Sequence, residues 1–350
     1  MQCLDLRLAP GDASCAGAGS GARSDAGGDH GHRFGTIGRG ARMAGHGPAA
    51  ARSQRGLGCR HTRAEGTSRN GRDTTARGRG GTMVQDVSRW GAMLADSAQT
   101  APLLAATYGP DEANWPERLA LWQAAATRWQ EAFGSGEVLL TRAPARISFN
   151  PHSDHQGAHV LYGCHQREMV VAAGWREDSL VQVVYGDPQY ASTQSFDLAA
   201  EPDLDRAAWE AGWLRYIDAP AVRQSVLELE DTTTNGAART SSLRYVKAAL
   251  LRLAHAYPGR LRGLNLALVG DIPTGAGMSS SSAIVVAVAL AALALAEIEV
   301  SRRPLVAMLG EAEWHVGTRG GAGDHAAMLL GRLGQLTNIA FDPPVTVRDV

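Results

Sequence analysis

The sequence predicts an α+β fold over residues 83–350, preceded by a disordered tail over residues 1–82. Three observations carry this expectation. Composition changes abruptly at Met83. Beta-type alternation is concentrated ahead of the longest helical patterns rather than interleaved with them. One short strand also runs directly into a Gly-rich loop and a long Ala/Val/Leu helix.

The tail comes first in the chain. Residues 1–82 hold 13 Arg and no Lys against 6 acidic residues, although the 350-residue chain has a formal net charge of only −1. Rich in Gly, Ala, Arg, Ser and His and without periodic apolar residues, this segment cannot bury enough surface to offset its ordering entropy. Its tract Arg77-Gly78-Arg79-Gly80 lacks the interleaved aromatics of RNA-binding segments. Neither an apolar signal core nor an amphipathic transit pattern is present. A translation start assigned upstream of Met83 accounts for the segment equally well.

Past Met83 the balance is acidic, so neither a nucleic-acid nor a membrane partner is expected from charge. The longest apolar run, Ala283–Ala296, is too short to span a bilayer and reads as a buried helix. Cys3, Cys15 and Cys59 lie in the tail and only Cys164 in the folded part, which leaves no disulfide framework or paired C-x-x-C motif. The simplest compartment is a reducing cytoplasm.

Helical pattern runs from Met83 to Gly134, its last helix opening at Trp115-Pro116-Glu117 and stopping at Gly134. Strands follow at 138–142, 145–149, 159–162, 169–173 and 180–185, with Glu177-Asp178 as a hairpin turn between the last two. Residues 187–215 read as a connection with short helical pieces. Ser241–Tyr257 is an amphipathic helix presenting Leu243, Val246, Leu250 and Leu253 on one face. A strand at Leu264–Val269, a loop at Asp271–Met278 and a helix at Ser279–Glu299 come next. A helix at Pro304–Trp314, a Gly-rich loop at 317–323, a helical piece from His325 and a strand near Gln335–Phe341 complete the series.

The strand–loop–helix unit carries the chemistry. Gly275 and Gly277 open backbone conformations closed to other residues, so successive N–H groups can face one concavity. Ser279, Ser280, Ser281 and Ser282 then begin a helix whose free amides and dipole favour an anion. Hydroxyls there can cap the helix, touch phosphate oxygens or ligate Mg²⁺. No Gly-Lys-Ser/Thr follows the glycines, so this is not a Walker A loop.

Three ordered stretches resemble the GHMP kinases, and among them the galactokinases. Gly270-Asp271-Ile272-Pro273-Thr274-Gly275-Ala276-Gly277-Met278-Ser279-Ser280-Ser281-Ser282-Ala283 is similar to the family's phosphate loop, G-D-x-P-x-G-x-G-L-S-S-S-A. Ala143-Pro144-Ala145-Arg146, continued by Asn150-Pro151-His152-Ser153-Asp154-His155-Gln156-Gly157, resembles the first signature, A-P-G-R-V-N-x-x-G-E-H-T-D-Y-N-G-G. Glu313-Trp314-His315 through Gly323-Asp324-His325 resembles the E-H…G-x-x-D-Q region.

The resemblance implies the N-terminal lobe of such a kinase, of the ribosomal protein S5 domain 2-like type, with a mixed sheet and helices packed on one side. It implies ATP and Mg²⁺ as cofactors, ATP phosphates held by Pro273 through Ser282, and metal ligation by Ser281 and Glu313. Asp324 and Arg146 take the catalytic positions. His152, Asp154 and His155, with Asp324, take the sugar-binding ones. The substrate implied is a small sugar phosphorylated at a hydroxyl, the anomeric one; neither oligomeric state nor the sugar follows from the motifs. The family's third signature is absent, so its C-terminal lobe is expected to be missing and the chain weakly active or inactive by itself.

Three departures bear on the substrate. Pro151 stands where the family has Glu, His155-Gln156 where it has Tyr-Asn, and His325 where it has Gln. Removing a carboxylate and adding imidazoles favours an acidic sugar, and Asp154-His155-Gln156-Gly157 resembles the D-H-Q-G of galacturonokinases. Two other readings compete. A metal site on His152, Asp154, His155 and His159 is disfavoured because side chains diverge on a turn between strands. A non-catalytic sugar sensor on the same scaffold would tend to lose Arg146, Asp324, Ser281 or Glu313, and all four are present. A further alternative is a GHMP kinase for a different small alcohol.

Overall fold

A computed structural model describes residues 84–149, 158–187, 193–232, 238–341 and 346–349. The expected tail and the sugar-site residues His152, Asp154 and His155 lie outside the described residues, as do Pro151 and Gln156.

Strand β1 (Gln85–Asp86) leads into helices α1 (Val87–Ala95), α2 (Ser97–Tyr108) and α3 (Trp115–Phe133). Asp86 and Asp96 cap α1 and α2 through their side chains, and α3 starts with Pro116 in its first turn. It ends at Gly134, whose φ of +84° takes the chain out of the helix. The long strands β2 (Glu137–Ser148) and β3 (His159–Trp175) follow, then β4 (Leu180–Tyr185) and β5 (Gln194–Asp197). A connecting region holds α4 (Arg206–Ala211), α5 (Trp213–Asp218), α6 (Pro220–Leu227) and the small hairpin β6 (Glu230–Thr232) and β7 (Ala238–Thr240). The remaining elements are α7 (Leu243–Ala256), β8 (Leu264–Gly270), α8 (Ser280–Leu295), α9 (Arg302–Glu313), α10 (Gly323–Leu330), β9 (Leu336–Ala340) and β10 (Thr346–Asp349).

Among the described residues the main sheet has eight strands, in the order β1-β2-β3-β8-β4-β5, with β9 beside β3 and β10 beside β9. It is mixed: β4 and β8 are parallel and the other pairs antiparallel. Strand β3 organises it. One edge pairs with β2, while the other is shared by β9 along 159–163 and β8 along 169–175. A bulge at Gln166 and Arg167, opposite the Pro144/Ala145 step, separates the two halves.

Four expectations are corrected. The strands read at 138–142 and 145–149 are one strand, as are those at 159–162 and 169–173. Pro144 interrupts the alternation, but the bulge opposite it absorbs the irregularity and pairing resumes at Ala145. The turn at Glu177-Asp178 exists, yet β3 and β4 do not form a hairpin, because β8 lies between them. Strand β8 is buried through Val269, as a central strand requires. Helix α8 ends at Leu295 rather than Glu299, and the chain turns away through Glu297, with φ +51°.

Helices also cover both faces of the sheet, not one. Helices α7, α8, α9 and α10 pack on the face presenting Leu139, Ala143, Val171, Val181 and Leu266. The opposite face, presenting Val138, Leu140, Val170, Val184 and Ala267, is covered by Trp90, Leu94, Trp122 and Trp129 of α1 and α3. The reason is visible in β2, which is buried at successive rather than alternate positions from Val138 to Arg146. Trp90 and Trp129 are anchored by donating to the carbonyls of Val138 and Asn265, each at 3.0 Å.

Helix α8 is the centre of the fold. Residues 282–294 are all buried, matching its uniformly apolar sequence. It lies on β2 and β3 with α7, α9 and α10 around it, and Thr141 Oγ1 donates to Ala287 O at 2.9 Å. Its N-terminus therefore has a fixed place relative to β2, α9 and α10. No helix among the described residues is long and apolar enough to cross a membrane.

Candidate active site

The site forms where β8, α8, β2, α9 and α10 converge. Strand β8 ends at Gly270, where an added Cβ would stand 2.9 Å from Glu168 O, so only glycine allows this approach to β3. The loop then passes through Gly275 and Gly277, with φ of +74° and +72°. Ser279 caps α8 in a left-handed conformation, φ +59° and ψ +55°, and makes no side-chain bond to the helix amides. The first turn of α8, Ser280 to Ser282, faces the site with the amides that a helix start leaves without intrahelical partners.

The Ser279 hydroxyl is turned away from the helix: Ser279 Oγ donates to Asp324 Oδ2. Asp324 lies in the first turn of α10, and its other oxygen accepts from Arg146 Nε at 2.5 Å. Arg146, on β2, is wired to the loop as well. Its Nη1 donates to Gly277 O at 2.5 Å and its backbone N–H to Met278 O at 3.3 Å. The guanidinium side chain is 7% exposed and the Asp324 side chain 24%, so the pair is sheltered while the carboxylate stays reachable.

A second carboxylate stands on the other side of the helix start. Glu313, at the end of α9, accepts from Ser282 Oγ at 2.6 Å. Ser281, one residue earlier, and Tyr245 of α7 both lie near enough to Glu313 to influence its charge. His325 Nε2 lies 3.1 Å from Glu313 Oε2, close but outside hydrogen-bond alignment. Burial pushes the Glu313 carboxyl upward; the His325 contact and the Ser282 and Ser281 hydroxyls outweigh it, leaving Glu313 below its ordinary value. It is therefore ionised at neutral pH.

Hard oxygen donors at a helix start suit Mg²⁺. Among the described residues no three His, Cys, Asp or Glu side chains cluster as a metal cage. A cation here would rest on Glu313, a serine hydroxyl and phosphate oxygens, the sparse protein ligation that Mg²⁺ accepts.

Arg146, Pro273 to Ser282, Glu313 and Asp324, all singled out from the sequence, thus converge on one end of the sheet. Sequence reasoning missed Ser282 as a direct partner of Glu313 and gave no role to Tyr245. The serine run offered no signal to choose among its hydroxyls, because the helix phase decides which one turns toward α9. Lys247 stands apart from this group: it pairs with Glu201 at 2.6 Å beneath α7 and is 4% exposed.

Residues 244–332 match the GHMP kinases N terminal domain, a segment that spans α7, the loop, α8, α9 and α10. That stretch of the chain is therefore similar to a GHMP kinase N-terminal domain. Among solved structures the chain is similar to a galactokinase from Lactococcus lactis, crystallised with galactose. That likeness is 22% in sequence with a TM-score of 0.50, and covers 64% of this chain and 50% of the other. The match shows a galactokinase-like fold. A mevalonate kinase from Methanococcus jannaschii matches at 11% identity and TM-score 0.43, covering 61% of this chain and 56% of that one. A D-glycero-D-manno-heptose 1-phosphate kinase from Bacteroides thetaiotaomicron matches at 18% and TM-score 0.40, covering 60% and 59%. The chain spans about half the length of the galactokinase it matches.

Proposed function

We propose that the chain is the ATP-binding and sugar-binding part of a Mg²⁺-dependent sugar kinase, transferring the γ-phosphoryl of ATP to a hydroxyl of a hexose or uronic acid. One observation carries the reading. The phosphate-type loop 273–282 is flanked on one side by the Arg146–Asp324 pair and on the other by Glu313 with Ser282. Phosphoryl transfer asks mainly for positioning and charge neutralisation, and a base and a metal carboxylate on either side of a phosphate cradle provide both.

In this reading the loop amides and the start of α8 hold the β- and γ-phosphates. Bound Mg²⁺, held by Glu313 with Ser281 or Ser282, would neutralise charge on the phosphate oxygens. Asp324 accepts the proton of the attacking sugar hydroxyl and so orients it. Arg146 holds Asp324 in place and brings a planar cation to the transferring group. His152, Asp154 and His155 bind the sugar. Pro151 in place of a carboxylate, with His155 beside it, favours an acidic sugar over galactose.

The test is ADP release from ATP and Mg²⁺ across a panel of hexoses and uronic acids, followed by Asp324→Asn on the best substrate. A sugar-dependent rate that falls roughly 10²–10⁴-fold in the variant supports the reading. Sugar binding without ADP release would point to a sensor instead. Galactose turnover without galacturonate turnover would remove the acidic-sugar assignment.

A further inference from the structure

Arg118 is an arginine with 3% of its side chain exposed, on the face of the sheet opposite α8. It stands in the first turns of α3, and the charge it carries is matched by one residue. Its Nη2 donates to Asp271 Oδ2 at 2.6 Å and its Nη1 to Gln166 O at 2.9 Å, while Nε has no hydrogen-bond partner. Glu117 also approaches Nη2, at 3.5 Å, but its side chain is 76% exposed and adds little.

Asp271 is the first residue of the loop that leads to the serines, and all of its polar groups are engaged. Oδ1 accepts from Glu168 N at 2.8 Å, the backbone N–H donates to Glu168 O at 3.2 Å, and the carbonyl accepts from Arg167 Nη1 at 2.8 Å. Gln166 and Arg167 are the bulge residues of β3, so the bulge and α3 together grip the loop at its root. Arg146 grips the far end at Gly277 and Met278. Between these anchors the backbone contact from Ala276 N to Pro273 O is long, 3.5 Å, and Gly275 and Gly277 offer no stiffness.

We propose that Arg118 is a positioning residue that fixes the root of the phosphate loop through Asp271, and so sets nucleotide affinity from outside the site. The inference rests on the reading of 273–282 as a nucleotide site. Removing the guanidinium leaves the half-buried Asp271 without its side-chain ion pair and weakens the root anchor to its contacts with Glu168 and Arg167. Arg146 on β2 keeps its bonds to Asp324 and Gly277.

In the full chain, Arg118→Met is expected to raise KM for ATP about tenfold while KM for the sugar stays within about twofold, because loop placement matters to phosphate alone. Amide hydrogen exchange at 271–279, measured without nucleotide, should speed up in the same variant. Asp271→Asn, which keeps the side-chain shape, should give both effects in milder form and stands in if Arg118→Met does not fold. Glu117→Gln should leave both readouts at the wild-type level. Unchanged exchange at 271–279 with unchanged ATP KM in either folded variant overturns the proposal, as does an equal rise in both KM values. If the wild-type chain phosphorylates no sugar, the functional reading fails, and the clamp is still judged by exchange and by titration with a non-hydrolysable ATP analogue and Mg²⁺.

Discussion

Glu168→Gln should destabilise the chain by about 3–5 kcal/mol, the usual consequence of leaving a buried charge uncompensated. The Glu168 side chain is 0% exposed and Arg142, its partner across β2 and β3, 2%. Arg142 Nε donates to Glu168 Oε2, and Tyr108 OH donates to Oε1 at 2.5 Å while accepting from Trp122 Nε1 at 2.9 Å. The Arg142 guanidinium also sits 5.0 Å from the centre of the Tyr108 ring. Glutamine preserves volume and one acceptor but removes the charge facing Arg142, and no solvent can replace it. For a domain of this size, 2–4 °C per kcal/mol converts the loss to a melting point lower by roughly 6–20 °C.

Two further variants separate the charge from the packing. Tyr108→Phe removes one hydrogen bond to a charged group and should cost about 1.5–3 kcal/mol. The double variant Arg142→Met, Glu168→Leu removes both charges together and should lie closer to wild type than Glu168→Gln does. Thermal melts and urea titrations of the four proteins read this out. A Glu168→Gln protein melting within about 2 °C of wild type, or a double variant less stable than the single, refutes the argument that burial makes this pair costly to break.

Two more outcomes follow from the site. His315, stacked 6.2 Å from Trp213, is held near a pKa of about 3 by burial first and by Lys247 second. Unfolding frees it to protonate at its ordinary 6.5, so stability is full above 6.5 and falls as pH drops toward 3, by about 1.4 kcal/mol per unit. His315→Phe should therefore be about 2 kcal/mol less sensitive than wild type to a change from pH 7.5 to 5.0, measured by urea titration; equal sensitivity would refute it. Ser279→Gly relieves a left-handed backbone worth about 1–2 kcal/mol and Ser279→Ala does not, while both delete the hydroxyl on Asp324. The glycine variant should melt higher than the alanine one, with sugar-kinase turnover reduced in both; wild-type turnover in either would remove Ser279 from the site.

The sequence by itself determined the local chemistry. Helix α8, its Gly-rich entry and its serine start were legible because a uniformly apolar helix and a glycine-bearing loop are dictated by residues adjacent in the chain. Arg146, Glu313 and Asp324 were legible as candidates because ordered motifs carry them. What tertiary structure decided is pairing across long separations. That Ser282 rather than a neighbour bonds Glu313 depends on the phase at which α8 meets α9. That β8 separates β3 from β4 depends on a crossover through the whole connecting region, which no turn signal at Glu177-Asp178 encodes. Arg118 and Asp271 are 153 residues apart, and no local pattern in the sequence links them. Only the burial of the second sheet face beneath α3, which the alternation in β2 did not announce, makes them partners, since a guanidinium taken out of water must find the carboxylate that the fold has left beside it.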